Sequence, residues 1–295
     1  INYGLVFMKQ QAWFTSQYIT GALIFGVFLF GAFCYRQDGL KRPVIDFSSF
    51  KKSNVQHATI LLLFLGVYMA SSAVFTQYAT TILGYTNQTI AEINLWLIPG
   101  ILVAGVLAFF GFANRWPIKY YILLGFVALF CSTLLLYLLI QPQMDIRYLH
   151  YFMLIRGLGM GILFIGIWFY ATLNQTMEQL LGMMAVLLAV RSFVSTALGT
   201  AFITWAFYRG IWQEMNDLSV SIDASDVLKN GASYQTVYMN SIMNSAKIIL
   251  GTLCWLIIPV LILIITHSYG SFNSRRFILF RKAFRGHSVK GYKLS

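Results

Sequence analysis

Seven stretches of this sequence are apolar over about twenty residues or more, and each is long enough to cross the ~30 Å hydrocarbon core of a membrane as a helix. They cover residues 15–35, 56–83, 89–113, 119–140, 148–173, 181–207 and 244–267. Lipid offers no partner for backbone N–H and C=O groups, so a spanning segment is either a helix or a strand of a closed barrel. Barrel strands alternate in polarity over about ten residues, and runs such as ILLLFLGVYMA and WLIIPVLILIIT do not alternate. The sequence therefore predicts an all-α, polytopic transmembrane helical bundle.

Charged residues are rare and unevenly placed. They make up 10% of the 295 residues, whereas a soluble domain carries about 25%. Most of the 21 Lys and Arg lie in the segments 36–55, 114–119 and 269–295, which the seven spans place on one side of the membrane. The positive-inside rule makes that side cytoplasmic, with the N-terminus outside and the C-terminus in the cytoplasm. We therefore attribute the net charge of +12 to topology and to a basic tail on anionic membrane lipid, and we predict no nucleic-acid partner.

No motif for a metal or cofactor is visible. The cysteines fall inside spans and are interpreted as small apolar packing residues. A membrane-embedded enzyme would need clustered His, Asp or Glu, but His57, His150, His267 and His287 lie on different segments, and the acids lie in loops or at span ends. We predict no catalytic residue, no metal and no cofactor. Because the chain starts at Ile1 with an apolar stretch at 4–8, we expect it to be a fragment.

Two arginines are predicted to lie near the middle of the membrane. Arg156 follows Arg147 at the outer boundary, and Arg191 follows Leu180 at the inner one. At 1.5 Å per residue these separations place the two side chains ~13 Å and ~16 Å deep. An Arg at that depth costs about 2.5–3.5 kcal/mol on insertion scales, a cost that a wet cavity or a counter-charge can meet. We interpret both as residues of a transport path, with a packing role for each as the alternative.

Five further side chains extend this predicted path at helical spacing. They are Tyr68, Ser72 and Phe75 in the second span, Tyr170 on the face of Arg156, and Ser195 on the face of Arg191. Aromatic walls with a few hydroxyls suit a small amphipathic ligand. Ordinary helix packing is the alternative, and for any one of these residues taken alone it is the favoured explanation.

Proline and glycine within the spans predict where helices bend and where they meet. Pro99 and Pro259 each remove a backbone hydrogen bond and predict a kink. Gly157 and Gly161 lie one turn apart, so they favour close approach to a neighbouring helix.

Four segments, in order, resemble one known family. They are KRPVIDFSSFKKSN (41–54), LGYTNQTIAEINLWLIPG (83–100), LIRGLGMGILF (154–164) and VRSFVSTALGTAF (190–202). They are similar to the linker, a turn with its following helix, an Arg-Gly-Leu-Gly helix and an Arg-containing helix of the fourteen-helix drug:proton antiporters (EmrB/QacA type) of the major facilitator superfamily. The resemblance implies a C-terminal half. Residues 1–37 would hold the end of a preceding helix and one linker helix, 38–55 a cytoplasmic surface segment, 56–268 the C-terminal six-helix domain with an extracytoplasmic loop at 208–243, and 269–295 a basic cytoplasmic tail.

The family's gating loop is altered in this sequence. Its pattern G-x-x-x-D-R-x-G-x-R/K corresponds here to residues 111–119, with Asn114 where the family has Asp, followed by Arg115 and Lys119. The resemblance implies that this loop gates the cytoplasmic side, and the lost carboxylate weakens that expectation for this half.

By this resemblance the chain belongs to a proton-coupled exporter of small amphipathic molecules in the bacterial cytoplasmic (inner) membrane. Its partners would be the substrate, protons, lipid and the missing N-terminal half, which would carry the proton-binding carboxylate. Two alternatives stay open: a seven-helix receptor or retinal protein, for which Lys247 in the last span is the candidate attachment site, and a membrane-embedded enzyme.

Overall fold

The computed structural model describes residues 16–38, 52–173, 183–184, 186–221 and 233–270. Within these ranges the secondary structure is helical and contains no strand, which confirms the all-α class. The helices are α1 (Gln17–Asp38), α2 (Ser53–Thr81), α3 (Asn87–Leu95), α4 (Leu97–Ala113), α5 (Ile118–Leu139), α6 (Ile146–Ala171), α7 (Thr196–Ser221), α8 (Ser233–Trp255) and α9 (Ile257–Thr266), with a π-helical segment (Val190–Ser195) leading into α7.

Seven helical stretches in the described ranges are long and apolar enough to cross a membrane. Each overlaps one of the seven apolar runs of the sequence. They are Gln17–Gln37, Ser53–Thr81, Asn87–Ala113, Ile118–Leu139, Ile146–Ala171, Val186–Asp217 and Tyr234–Thr266. The chain is therefore a polytopic integral membrane protein.

Two of the spans are interrupted at the positions that their prolines predict. The third breaks at Trp96, between α3 and α4, and the seventh breaks at Leu256, between α8 and α9. Each break lies three residues before a proline, Pro99 or Pro259. Proline has no N–H to offer the carbonyl four residues earlier, and its ring crowds that carbonyl. The helix therefore bends in the turn that precedes it.

Helix α6 lies at the centre of the bundle, against α4, α5 and α2, while α7 packs between α2 and α8. The apolar core has two parts. One surrounds the half of α2 that begins at Val55, and the other surrounds the half that reaches Ala79. Helix α1 exposes most of its apolar side chains, including Phe25 and Phe28. Exposed apolar surface of this kind is expected where a helix faces lipid.

Glycines allow the helix backbones to touch at two crossings. A Cβ on Gly157 of α6 would lie 2.3 Å from the Leu97 carbonyl oxygen, and one on Gly100 of α4 would lie 2.2 Å from that of Leu154. At the crossing of α2 with the π segment and α7, a Cβ on Gly66 would lie 2.3 Å from the Ser195 Cβ. These distances leave no room for a methyl group, as expected where small residues drive helix association in lipid.

The Gly157 crossing gives a stability prediction with a control nearby. Gly157→Ala is expected to destabilise the bundle by about 1–3 kcal/mol, because the new methyl overlaps backbone atoms that cannot move independently. Gly105→Ala in α4 is the control, because nothing lies within 4 Å of a Cβ there. That change is expected to be neutral or stabilising by up to about 1 kcal/mol through helix propensity. The measurement is thermal unfolding in detergent micelles, and equal shifts for the two variants would contradict the packing account.

The last two spans differ from the sequence expectation in extent. Helix α7 continues to Ser221 and α8 begins at Ser233, so much of the interval 208–243 that we expected to be loop is helical. Polar side chains such as Glu214 and Asn240 occupy these extensions, which is why hydropathy alone ends the spans too early. Most of the predicted cytoplasmic surface segment 38–55 and most of the basic tail 269–295 lie outside the described residues.

Candidate functional site

Arg156 is the most deeply buried charged side chain in the described part of the chain, with 3% of its surface exposed. It lies in the middle of α6, about 15 Å along the helix from Ile146. Its Nη2 donates to the backbone carbonyl of Met69 on α2 at 2.6 Å, and its guanidinium lies 5.7 Å from the centre of the Phe152 ring. Its Nη1 is buried and has no hydrogen-bond partner among the described residues. The positive charge is thus only partly compensated.

Ser72 joins Arg156 at the same carbonyl. Its hydroxyl donates to the Met69 oxygen at 2.9 Å, so two of the predicted path residues, from two different helices, converge on one backbone acceptor. Ser72 itself is exposed, whereas Arg156 is not. The pair therefore links the buried charge to the surface of α2.

Arg191 lies apart from this pair, in the π-helical segment. Its guanidinium is 4.4 Å from the centre of the Phe164 ring of α6, a cation–π geometry. Its backbone carbonyl accepts from both the N–H and the hydroxyl of Thr196. A π-helical turn carries one extra residue and often marks a functional site. Sequence periodicity did not reveal it.

Three other predicted path residues, Tyr68, Phe75 and Ser195, are buried in the bundle. The Tyr68 hydroxyl donates to the Leu253 carbonyl at 3.0 Å, beside the break that precedes α9. Phe75 packs on Phe152 with ring centres 5.6 Å apart. Ser195 is buried at the Gly66 crossing, and its hydroxyl has no partner among the described residues. These residues border the Arg156 region without forming one wall with it.

A cavity of about 270 Å³ opens between α2 and α7, beyond Ser72 along α2. Gln77 and Tyr208 are its polar centre. The Tyr208 hydroxyl donates to Gln77 Oε1 at 3.1 Å, and Gln77 Nε2 donates to the Thr81 hydroxyl at 3.0 Å. The remaining lining residues are Ala73, Val74, Thr76, Thr204 and Phe207. The lining has hydrogen-bonding groups but no charge, so it suits a neutral amphipathic group.

The predicted gating loop forms the tight turn between α4 and α5. Asn114 ends α4, and Arg115 has a φ of 53°, the one positive φ of a non-glycine residue in the described ranges. The Trp116 N–H donates back to the Gly111 carbonyl at 3.0 Å. Lys119 Nζ donates to the Ile265 carbonyl at 2.8 Å, so the start of α5 is held against the end of α9.

Tyr170, the remaining predicted path residue, belongs to a different cluster at the same end of the bundle as this loop. Its hydroxyl hydrogen bonds with His267, and His267 stacks on His57 with ring centres 3.9 Å apart. Tyr269 contacts all three rings. We call His57, Tyr170, His267 and Tyr269 the His–Tyr cluster. The sequence analysis treated these histidines as scattered, but each lies at the same end of its predicted span, which was the available signal.

Comparison with known proteins adds no family assignment. No protein-family model matches the chain, and a search of curated proteins finds no match. The fold and the site define a polytopic, α-helical membrane protein with a buried, partly compensated arginine.

Proposed function

We propose that the chain is one half of a proton-coupled exporter of small amphipathic molecules, of the major facilitator type. The observation that carries the proposal is the state of Arg156. A guanidinium in the middle of a spanning helix, with a free Nη1 and no carboxylate contact among the described residues, would be costly in lipid. An anionic group of a substrate, or a carboxylate of a second helical bundle, would offset that cost.

The transport path would run along α2 from Arg156 to the cavity. Ser72 lies next to the Arg156–Met69 contact, and Thr76 and Gln77 follow about one turn later on the cavity wall. A path with one buried cation and otherwise neutral polar groups favours anionic or neutral amphipathic molecules over cations. The second bundle would close the open side of this path, as alternating access requires two bundles around a shared site.

Resemblance and charge distribution support the remaining parts of the proposal. The four segments that resemble the family follow one another in the family's order between residues 41 and 202. The distribution of Lys and Arg supports a cytoplasmic position for the start of α2 and for the end of α9. In that orientation the Asn114–Lys119 turn also lies on the cytoplasmic side, where a gate would act. The bacterial cytoplasmic membrane is the proposed location.

Dye export from cells tests this function. The chain is expressed together with an N-terminal half in an efflux-deficient bacterium, and the cells are loaded with the anionic dye 8-anilinonaphthalene-1-sulfonate or with the cation ethidium. We expect faster loss of the anionic dye than of ethidium, and we expect a protonophore to abolish the loss. Dye loss that equals that of cells carrying an empty vector, at verified expression, would contradict the proposal. Export that resists the protonophore would contradict proton coupling.

A further inference from the structure

The His–Tyr cluster joins three parts of the chain at one end of the bundle. His57 comes from the second turn of α2, Tyr170 from the last turn of α6, and His267 with Tyr269 from the segment directly after α9. The same segment is fixed to α5, because the Gly270 carbonyl accepts from the Ile118 N–H at 3.1 Å. The segment 267–270 therefore closes this end of the bundle, and the two imidazoles lie at its centre.

The hydrogen bonds assign different roles to the two imidazoles. His267 Nε2 is engaged by the Tyr170 hydroxyl. His57 interacts with the Leu263 backbone, while its Nε2 is buried and has no partner among the described residues. In a neutral His57 that donates from Nδ1, this Nε2 carries the free lone pair. It is therefore the nitrogen at which a proton would be added.

Protonation of His57 is incompatible with the observed packing for two reasons. The new Nε2–H would be a buried charged donor without an acceptor, which costs the desolvation of that group. The positive ring would also lie face to face with His267, 3.9 Å away, so a second proton on His267 would add repulsion between like charges. Because His57 Nε2 is shielded from water, a proton reaches it only when the segment 267–270 moves away.

We propose that His57 is a proton-binding site that controls the opening of this end of the bundle. The neutral stack holds the segment 267–270 against α2 and α6, and a proton on His57 Nε2 releases it. A role in coupling transport to protons rests on the proposed function. Proton binding and opening themselves need no substrate and are measured without one.

Protonation disfavours the closed packing more at His57 than at the other ionisable groups of the cluster. Burial also lowers the pKa of His267, but His267 Nε2 has the Tyr170 hydroxyl as a partner, whereas His57 Nε2 has none among the described residues. Burial next to Tyr170 raises the pKa of Tyr269, so the Tyr269 phenol remains neutral.

The described cations of the segments that meet at this end are Lys52, directly before α2, Arg115 in the turn after α4, and Lys119, which donates to the Ile265 carbonyl. Among the described acids, Glu92, Asp145, Glu214 and Asp217 lie towards the other end of the bundle, and Asp38 is the last residue of α1. In the closed form the segment 267–270 packs against α2 and α6, and this packing disfavours the imidazolium. The closed form is therefore fully stable above about pH 6.5 and loses stability as the pH falls below that value.

Thiol accessibility measures the opening. Ile264 lies one turn before His267 and is fully buried, so Ile264→Cys reports on opening. The substitution is made in a chain in which Cys34, Cys131 and Cys254 are replaced by serine, and the full chain is reconstituted in lipid nanodiscs. The labelling rate of Ile264→Cys is divided by that of Tyr120→Cys, at an exposed position, which corrects for thiol ionisation. Between pH 7.5 and 5.5 the ratio is expected to rise about tenfold, the limit for one imidazole that titrates only in the open form.

Two histidine variants decide whether His57 is responsible. His57→Gln keeps a polar planar side chain but does not titrate, so most of the tenfold rise should disappear and only the contribution of His267 should remain. His150→Gln is the matched control, because His150 stacks on Trp96 near the start of α6, at the other end of the bundle, and it should retain the full rise. An undiminished rise in His57→Gln, or the absence of a rise from the chain with native histidines, would overturn the proposal.

A measurement on the chain with all native histidines covers the case in which His57→Gln does not fold. With ¹⁵N-labelled histidine, NMR is expected to show His57 as the neutral Nδ1–H tautomer at pH 7.5 and as a cation only in a second, open set of signals at pH 5.5. A single set of His57 signals that titrates smoothly, like a solvent-exposed imidazole, would refute the proposed proton-controlled opening. A failure of dye export in cells would leave the thiol-labelling and NMR results unchanged. The proposal of proton-controlled opening can therefore fail or stand independently of the proposed export function.

Discussion

Replacing Arg156 by methionine is expected to reduce dye export by about 10- to 100-fold while leaving the protein folded. The guanidinium is the one group of the path that offers a charge-assisted hydrogen bond to an anionic partner, and such a bond contributes roughly 1.5–3 kcal/mol. Methionine fills much of the same volume without a charge, and replacing a buried charge by an apolar side chain is often neutral or stabilising. The measurement is the rate of dye loss at matched membrane protein levels, with the unfolding temperature recorded in parallel.

A packing role for Arg156 predicts the reverse pattern. If the guanidinium served only to hold the Met69 carbonyl, Arg156→Met would lower the unfolding temperature and export would follow protein level. Arg147→Met, near the exposed start of the same helix, is the control and should change neither quantity. Arg156→Lys should restore export poorly, because an ammonium cannot donate to Met69 and to a second acceptor with the planar geometry of a guanidinium. Wild-type export by Arg156→Met at matched expression would contradict the proposed path.

The spans could be predicted from the sequence because the membrane imposes a simple rule on the backbone. Any segment that crosses lipid must satisfy its own hydrogen bonds, so an apolar run of sufficient length is a helix. The breaks at Trp96 and Leu256 follow with similar directness from Pro99 and Pro259. The position of Arg156 in the middle of α6 followed from counting residues along the predicted span. None of these inferences requires knowledge of which helices are neighbours.

The orientation of side chains around each helix could not be predicted in the same way. Lipid and the interior of the bundle are both apolar, so hydrophobicity does not distinguish the inward face from the outward one. Tyr68 and Phe75 lie on a stripe that the sequence assigned to the path together with Ser72, but in the structure both are buried and only Ser72 is exposed. The helical spacing of these residues was predicted correctly, but which side of α2 faces the interior depends on its contacts with α6 and α8.

Contacts between distant parts of the chain also could not be predicted from local sequence patterns. His57 lies in α2 and His267 directly follows α9, 210 residues later, and only the folded chain brings the two rings together in a stack. The shared acceptor of Arg156 and Ser72 is a backbone carbonyl, which no sequence motif marks. The π-helical turn at Arg191 coincides with the Gly66 crossing, where α2 contacts Ser195 directly.

We expect a pH gradient to drive dye movement by the chain paired with an N-terminal half, and to drive none by the chain alone. Arginine stays protonated at any relevant pH, and the described carboxylates of this chain are peripheral, so neither loads and releases a proton across the membrane. In the proposed account the His–Tyr cluster controls one end of the bundle, but alternating access needs a second bundle to form the other wall of the site. We therefore expect the chain by itself to lack part of the transport cycle.

The most direct measurement reconstitutes the 295-residue chain in liposomes, with and without a co-expressed N-terminal half, and imposes a pH gradient. Movement of 8-anilinonaphthalene-1-sulfonate is followed by its fluorescence, and liposomes without protein provide the background. We predict gradient-driven movement in the paired sample and background movement with the chain alone. Gradient-driven movement by the chain alone would contradict the half-transporter account, and background movement in both samples would contradict transport itself.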